Sequence, residues 1–447
     1  MVTVKCADFN VEEFFNKAPR VKNRRGNPGR KIRKYVGITT AFDIETSVIP
    51  GTEQAVMYIW QWCFNDVVVI GRTWDEFLEL MNRIRRSLPE QSWLVVYVHN
   101  LSHEFQYLKG IYSFTENDVF AVGSRQVVKC DMYGCFEFRC SYKLTNMSLA
   151  QFTSRMNVEH KKLSGEEFDY SKVRYPWTEL DPQELAYCVN DVAGLVEAVN
   201  AQMARDGDIL STIPLTSTGY VRRDAKRAMK EGAHYTEIRG MMPTYEVYVA
   251  LREAFRGGNT HASRFMAGDI IYNVHSADRS SSYPAELFKE YPLTQFIPIM
   301  KSDLNMGYIQ RCITIRHKAL LLRIGIKNLR LRDPYWPCPY LSKDKCRNIH
   351  EASYVADSDH TDMIDNGRIL EADYLETTIT DLDLDIICSE YTGEIIFHQG
   401  WYASYKPLPK AFTDEVIKYY RNKTELKGVK GQEIYYDKAK ALLNSLY

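Results

Sequence analysis

An α/β fold is predicted for the first part of this chain, on three observations. Short strand-like runs crowd the first third, a helical pattern follows the third of them, and a long, well-capped helix closes the region near residue 204. The strand-like runs are Tyr35 to Ile44, Ala55 to Phe64, Val67 to Ile70, Trp93 to Val98, and Gln126 to Cys140, the last folded at Tyr133-Gly134 as a hairpin. Thr73 to Leu88 reads as a helix. A second helix runs from Pro182 to about Ala204, because Asp181 is an N-cap, Pro182 suits the first helical position and Glu184 completes a capping box.

Beyond Gly207 the pattern changes. A Gly257-Gly258 break precedes a strand expected at Ile270 to Ala277, then a hairpin expected from Tyr308 to Leu331, and a Pro-rich turn from Asp333 to Pro339. Helices are expected from about Pro409 to Leu426 and from Gln432 onward. At 447 residues the chain exceeds one core, since single cores stop growing near ~250–300 residues.

Charge sums to zero, from 57 basic and 57 acidic residues, which excludes a uniformly basic nucleic-acid coat. The sum hides regional bias. Residues 1–42 hold ten bases and three acids, with Arg20, Lys22, Arg24, Arg25, Arg30, Lys31, Arg33 and Lys34 in one run, read as a mobile basic arm over 1–34. Residues 357–390 carry eleven acids and one base, whereas 405–447 carry nine bases and five acids. The ten cysteines form no C-x-x-C pair, so free thiols in a reducing compartment are expected. The longest aliphatic stretch, Ala319 to Ile326, is broken by Arg323 and falls short of the ~20 residues of a membrane span. A soluble, cytoplasmic protein without membrane partners is the expectation.

Three acidic constellations carry chemistry. Asp43-Ile44-Glu45 ends a strand, where residues i and i+2 share a face, so both carboxylates converge. His99, Asn100, His103 and Glu104 lie where a buried strand gives way to a helical pattern, the position at which α/β sheets gather ligand-binding groups. Tyr187 and Asp191 lie four apart on one face of the capped helix. Singly, each is an ordinary strand end, a helix-start acid or a surface pair.

Together, in order, FDIET, HNLSHEF and YCVND resemble the three exonuclease motifs of family-B DNA polymerases, particularly the protein-primed branch of bacteriophages and linear plasmids. The resemblance implies a ribonuclease-H-like 3′–5′ exonuclease domain over 35–206, followed by an incomplete α+β palm/fingers polymerase domain over 207–447. It implies Asp43, Glu45, Glu104 and Asp191 as ligands of two Mg2+ or Mn2+ ions, and Tyr187 as the group that positions the attacking water. The family's second motif usually supplies Asp where Glu104 stands. Thr46, Asn100 and His103 match positions that hold single-stranded DNA, as does Ser141. Lys162, or Lys161 because the spacing near Gly165 and Asp169-Tyr170 allows either, resembles a lysine that stabilises the transition state.

The polymerase half is read the same way. Ala254-Phe255-Arg256-Gly257-Gly258 resembles the linker motif, with Gly257 and Gly258 toward DNA and Phe255 where the family has Tyr. Asp278-Arg-Ser-Ser-Ser-Tyr-Pro284 resembles the first polymerase motif, which implies Asp278 as metal ligand and half of a second metal site. Ser281 would touch the triphosphate, Tyr283 would exclude ribonucleotides, and Ser282 replaces the usual leucine. The stretch 440–447, KALLNSLY, resembles the fingers motif, implying Lys440, Asn444 and Tyr447 at the nucleotide, with Lys423 as a further phosphate ligand. The palm start is expected at 270–300, a terminal-protein-type insertion at about 301–400 and the fingers start at about 405–447. Tyr354-Val-Ala-Asp-Ser-Asp359 has the flavour of the motif bearing the second polymerase aspartate, but precedes the fingers motif and is read as a decoy.

The resemblance therefore implies a DNA polymerase of DNA replication with proofreading, whose N-terminal portion alone does not add nucleotides. Its implied partners are single-stranded and primer-template DNA, deoxynucleoside triphosphates and a terminal protein primer. Two alternatives stand beside it: a split polymerase completed by a second polypeptide with the remaining palm and thumb, and a non-catalytic scaffold that binds DNA or terminal protein. Gathered carboxylates where phosphates must approach argue against a pure binder.

Overall fold

A computed structural model describes residues 1–19, 33–163, 172–263, 265–350 and 364–446. The chain divides into two compact units: Met1–Arg223 with Glu425–Ser445, and Asp224–Thr424 with Leu446–Tyr447.

In the first unit the strands are β1 (Val2–Lys5), β2 (Lys34–Tyr35), β3 (Thr40–Val48), β4 (Ala55–Phe64), β5 (Val67–Gly71), β6 (Ser92–Val98), β7 (Val119–Ala121), β8 (Val127–Met132) and β9 (Phe136–Cys140). They form one sheet in the order β1-β5-β4-β3-β6-β9-β8-β7, with β2 beside β6. The centre is mixed, β3 running antiparallel to β4 and parallel to β6, and β6 parallel to β9. The β8–β9 turn places Tyr133 and Gly134 in left-handed conformation, with φ of 54° and 68°. The helices are α1 (Val11–Asn16), α2 (Trp74–Ser87), α3 (Glu104–Ile111), α4 (Ser141–Thr145), α5 (Leu149–Met156), α6 (Pro182–Asp206) and α7 (Ser217–Glu231), the last crossing into the second unit.

Two apolar layers flank the sheet. Phe42, Trp62 and Phe138 pack with Phe77, Leu80, Met81 and Ile84 of α2, while Ala41, Val95 and Tyr97 pack with Phe152 of α5 and Val192 and Val196 of α6. Local signals set the helix starts. The Asp181 side chain accepts from the Gln183 and Glu184 amides at 2.9 and 2.8 Å, and Glu184 Oε2 accepts from the Asp181 amide at 3.0 Å, so the orphan N–H groups of α6 are satisfied.

The second unit holds α8 (Tyr235–Gly240), α9 (Tyr245–Ala254), α10 (Ser282–Glu286), β10 (Glu290–Pro292), β11 (Ile297–Pro298), α11 (Met306–Thr314), β12 (Lys318–Leu331), β13 (Cys346–His350), β14 (Ile364–Asp365), β15 (Arg368–Ile369), β16 (Glu371–Thr380), α12 (Asp381–Glu390), β17 (Tyr391–Pro407) and most of α13 (Lys410–Leu426). An antiparallel sheet in the order β10-β17-β12-β16-β13 is covered on one side by Ile309 and Cys312 of α11 and Leu384 and Ile387 of α12. Val247, Ala250 and Ala254 of α9 pack on Leu321 and Trp401. The last helix, α14 (Glu433–Asn444), joins the first unit, where Arg155 pairs with Asp437 at 2.7 Å and Lys438 with Asp206.

Three expectations need correction. Residues 1–19 are not a free arm: β1 pairs with β5, and Cys6, Phe9, Val11 and Phe15 are buried. Arg33 of the basic run pairs with Asp131 at 2.6 Å, and the rest of that run from Arg20 to Lys31 lies outside the described residues. The expected hairpin from Tyr308 to Leu331 is instead α11 followed by a single strand, because Asn305 caps the Tyr308 amide at 3.0 Å and Ile309 and Cys312 fall at helical spacing. Ile270 to Ala277 forms no strand among the described residues; Ile270, Tyr272 and Val274 are exposed, and strand propensity without a ladder partner does not make a strand. Two acids of the 357–390 region are structural. Asp381 accepts from the Leu320 amide and the Tyr405 hydroxyl at 2.9 and 2.8 Å, and Asp383 from the Thr380 amide at 2.7 Å. Residues 354–359 lie outside the described residues.

Candidate functional site

In the first unit a cavity of about 740 Å3 has a lining that includes Asp43, Glu45, His99, Asn100, His103, Glu104, Lys162, Tyr187 and Asp191. The strand alternation of β3 aims Asp43 and Glu45 to one side. A bulge between Glu45 and Thr46 interrupts the β3–β4 register there, the kind of irregularity that re-aims side chains beside functional sites. After β6, Asn100 takes a left-handed φ of 68°, and its carbonyl accepts from the His103 amide at 2.9 Å, which turns the chain into α3 at Glu104. Tyr187 and Asp191 arrive from α6, each 5% exposed.

Asp43, Glu45 and Asp191 each offer a carboxylate oxygen within 4.8 Å of the other two. Glu104 lines the same cavity without belonging to that triplet; its Oε1 faces His103 Nδ1 at 3.2 Å. Lys162 Nζ donates to Asp191 Oδ2 and lies 5.0 Å from the centre of the Tyr187 ring. That contact belongs to Lys162, which separates it from Lys161.

Crowding sets the electrostatics. Burial, then the charges of Glu45, Glu104 and Asp191, hold the Asp43 carboxyl well above its usual range, with Lys162 opposing. Burial and Asp191 push Glu45 up to about 7. Burial raises Asp191 despite the adjacent lysine. Burial works against the Lys162 charge, but the Asp191 carboxylate more than offsets it and the amine is held protonated. His99 is pushed down to about 4 by burial and by Lys162, whereas the hydrogen bond to Glu104 raises His103.

This donor set fits divalent cations. Asp191 Oδ1 and Glu104 Oε2 are buried without a hydrogen-bond partner, and carboxylate oxygens are the ligands that hard cations prefer. One lysine cannot neutralise four carboxylates, and cations would relieve the repulsion that, together with burial, lifts Asp43 and Glu45.

Two side chains depart from their expected role or escaped notice. Ser141, expected against the single strand, is completely buried; its hydroxyl lies 3.0 Å from His99 Nδ1 and 3.2 Å from the Val98 carbonyl, so it braces His99 instead. Gln61, directly opposite Asp43 across β3–β4, donates to Asp43 Oδ2 at 3.1 Å. A lone glutamine inside an otherwise apolar strand was the available signal. Thr46 sits half-buried on β3 outside the cavity lining.

In the second unit Lys423 Nζ donates to Ser281 Oγ at 2.8 Å, which unites two of the expected nucleotide ligands. Ser281 holds a left-handed φ of 50°, a strained conformation for serine. A Cβ at Gly258 would stand 3.0 Å from the Tyr283 hydroxyl, so the glycine permits that approach. Gly257 and Asp278 are exposed. Arg256 bonds the Thr378 carbonyl, Thr377 Oγ1 and Asp383 at 3.3 Å each, tying the glycine break to β16 and α12. Lys440 and Asn444 are exposed on α14, within the first unit, and Tyr447 lies outside the described residues.

Comparison with known proteins adds a family. The family described as DNA polymerase type B, organellar and viral, matches residues 164–447, more than half of the chain, taking in Tyr187 and Asp191 but not Asp43, Glu45 or Glu104. No curated protein matches. Among solved structures, Phi29 DNA polymerase complexed with single-stranded DNA superposes with a TM-score of 0.63 at 15% identity, covering 91% of this chain and 66% of that one. The same polymerase with primer-template DNA gives 0.62 at 16%, covering 91% and 67%. Its complex with primer-template DNA and incoming nucleotide substrates gives 0.58 at 15%, covering 92% and 67%. The likeness is one of fold, an N-terminal α/β domain followed by a palm/fingers-like polymerase domain. The chain spans about two thirds of the length of those polymerases. Among the described residues no helix is long and apolar enough to cross a membrane.

Proposed function

The chain belongs to the type B DNA polymerases of organelles and viruses, and from that premise we propose that its first unit is a metal-dependent 3′–5′ exonuclease acting on single-stranded DNA in protein-primed replication. The observation that carries the reading is the convergence of Asp43, Glu45 and Asp191 within 4.8 Å, in one cavity with Glu104, Tyr187 and Lys162.

Asp43, Glu45 and Asp191, with Glu104, would hold Mg2+ or Mn2+. When bound, divalent cations supply Lewis acidity and neutralise the phosphate. The Tyr187 hydroxyl orients the attacking water. As water oxygen bonds to phosphorus, the bond to the 3′ oxygen of the preceding nucleotide breaks, and a nucleoside monophosphate leaves. Lys162, kept charged by Asp191, faces the negative charge that grows on the phosphoryl oxygens, where a preorganised cation stabilises the transition state. Asn100 and His103 border the cavity and would grip the terminal nucleotides, and Thr46, on β3 outside the cavity lining, would add a contact to the strand.

In the second unit Asp278 would hold half of a polymerase metal site, Ser281 and Lys423 the triphosphate, and Tyr283 the sugar edge, with Gly257 and Gly258 toward DNA. From the fingers motif alone, Lys440, Asn444 and Tyr447 would bind nucleotide, and a terminal protein would meet the insertion over 301–400. Purified protein with magnesium is expected to shorten a 5′-labelled oligonucleotide one nucleotide at a time from its 3′ end. An intact oligonucleotide, or undiminished cleavage by the Asp43→Ala, Glu45→Ala double variant, would overturn the reading.

A second reading has one specific support. Ile270, Ile271, Tyr272 and Val274, beside Asp278, are exposed apolar residues of strand-forming type, as expected of a palm strand that pairs with a further polypeptide. Primer extension that appears only when such a polypeptide is added would establish it; extension by this chain alone would remove it.

A further inference from the structure

Lys162 lies in a connecting segment rather than on a rigid element, yet its amine must be held at one point beside Asp191. A four-carbon side chain on a free loop keeps many rotamers open and does not hold such a position unaided. The segment is fastened two residues earlier. The His160 amide donates to Glu197 Oε2 at 3.0 Å, and its Nδ1 lies 2.5 Å from Glu197 Oε1, so one carboxylate grips main chain and ring together. Glu197 is on α6, six residues beyond Asp191 and three beyond Gly194. A Cβ at Gly194 would stand 2.1 Å from the His160 carbonyl oxygen, so only glycine admits the segment this close to the helix. On the other side the Lys162 amide donates to Thr153 Oγ1 at 3.4 Å.

Glu159, His160 and Glu197 also have the donors of a metal site. The hydrogen bonds speak for an anchor instead: both oxygens of Glu197 are already engaged by His160, and Glu159 is exposed.

We propose that Glu197 and His160, with the Gly194 notch, form a clamp that positions Lys162 against Asp191, so that one helix carries both the metal-binding carboxylate and the fixing point of the lysine. The proposal rests on the exonuclease reading for the task of Lys162, but the clamp itself is a statement about this chain. Glu197 and His160 are positioning residues and touch no substrate.

The test is a double-mutant cycle. Glu197→Ala is expected to lower kcat for single-strand cleavage about tenfold or more, with KM within about twofold, because misplacing a catalytic group by ~1 Å costs up to ~100-fold. Glu197→Gln keeps an acceptor for the His160 amide and is expected to restore most of the loss. In a Lys162→Ala background, Glu197→Ala is expected to add nothing, since it acts only through the lysine. Independently of activity, amine labelling by acetic anhydride in the presence of EDTA, mapped by mass spectrometry, is expected to modify Lys162 several-fold faster in Glu197→Ala than in wild type. Multiplicative losses in the double variant, or unchanged kcat and Lys162 labelling in Glu197→Ala, overturn the clamp. If Lys162→Ala cleaves at the wild-type rate, the exonuclease role of the lysine falls, and the labelling comparison still decides the clamp.

Discussion

Asp43 shares its cavity with three other carboxylates, and their mutual repulsion makes the site a source of instability when no cation is bound. Burial first, and then the charges of Asp191 and Glu104, lift the Glu45 carboxyl from an ordinary 4.5 to about 7. A carboxyl whose folded pKa exceeds its unfolded one binds more protons in the folded state. Its stabilising effect is present below about 4.5 and is lost as pH rises to about 7. The melting temperature of EDTA-treated protein is therefore expected to fall across that window, and magnesium to raise it by more at about pH 8 than at about pH 5. Asp43→Asn is expected to raise the EDTA-state melting temperature by a few degrees while abolishing cleavage. A lower melting temperature in that variant would contradict the repulsion argument. Much of this chemistry was legible in the sequence, because Asp43 with Glu45 and Tyr187 with Asp191 follow the strand and helix periods. Gln61 and Glu197 were not. Their partners, Asp43 and His160, lie 18 and 37 residues away, and only tertiary packing brings them together.

At the scale of elements, α6 was the most legible feature, since Asp181, Pro182 and Glu184 state its start locally. Its cap carries functional weight because the helix supplies Tyr187, Asp191 and Glu197 from one scaffold. Asp181→Ala leaves the Gln183 and Glu184 amides without their acceptor and is expected to cost about 1 kcal/mol, read as a lower urea midpoint with unchanged slope. A midpoint equal to wild type would show that water replaces the cap at no cost. The elements that sequence misread share a physical reason. Tyr308 to Thr314 contains apolar residues that suit either period, and the Asn305 cap decides for helix. Ile270 to Ala277 has strand composition, but pairing depends on a neighbour rather than on the segment itself. Its amides are expected to exchange with deuterium within seconds in the isolated protein, and to become protected only when a pairing polypeptide is supplied. Slow exchange in the isolated protein would mean that the segment already has a partner.

At the scale of the molecule, the neutral total charge dissolves into local arrangements. The carboxylates of the cavity, the structural acids Asp381 and Asp383 and the bases of α13 serve separate ends. The division into two units has a thermodynamic consequence. Each owns a core: Phe42, Trp62, Phe77 and Phe138 with the α6 layer in one, Leu322, Ile324, Leu375 and Ile379 in the other. Domains with separate cores of this size usually unfold as separate cooperative units. Calorimetry is therefore expected to resolve two transitions. A ligand that binds one folded unit stabilises that unit by mass action and leaves the other where it was. The triplet Asp43, Glu45 and Asp191 lies wholly in the first unit, so magnesium is expected to move one transition upward and Asp43→Asn to abolish that movement. If both transitions rose together with magnesium, the two units would be coupled as one folding body, and the cation would report on the whole chain rather than on the cavity.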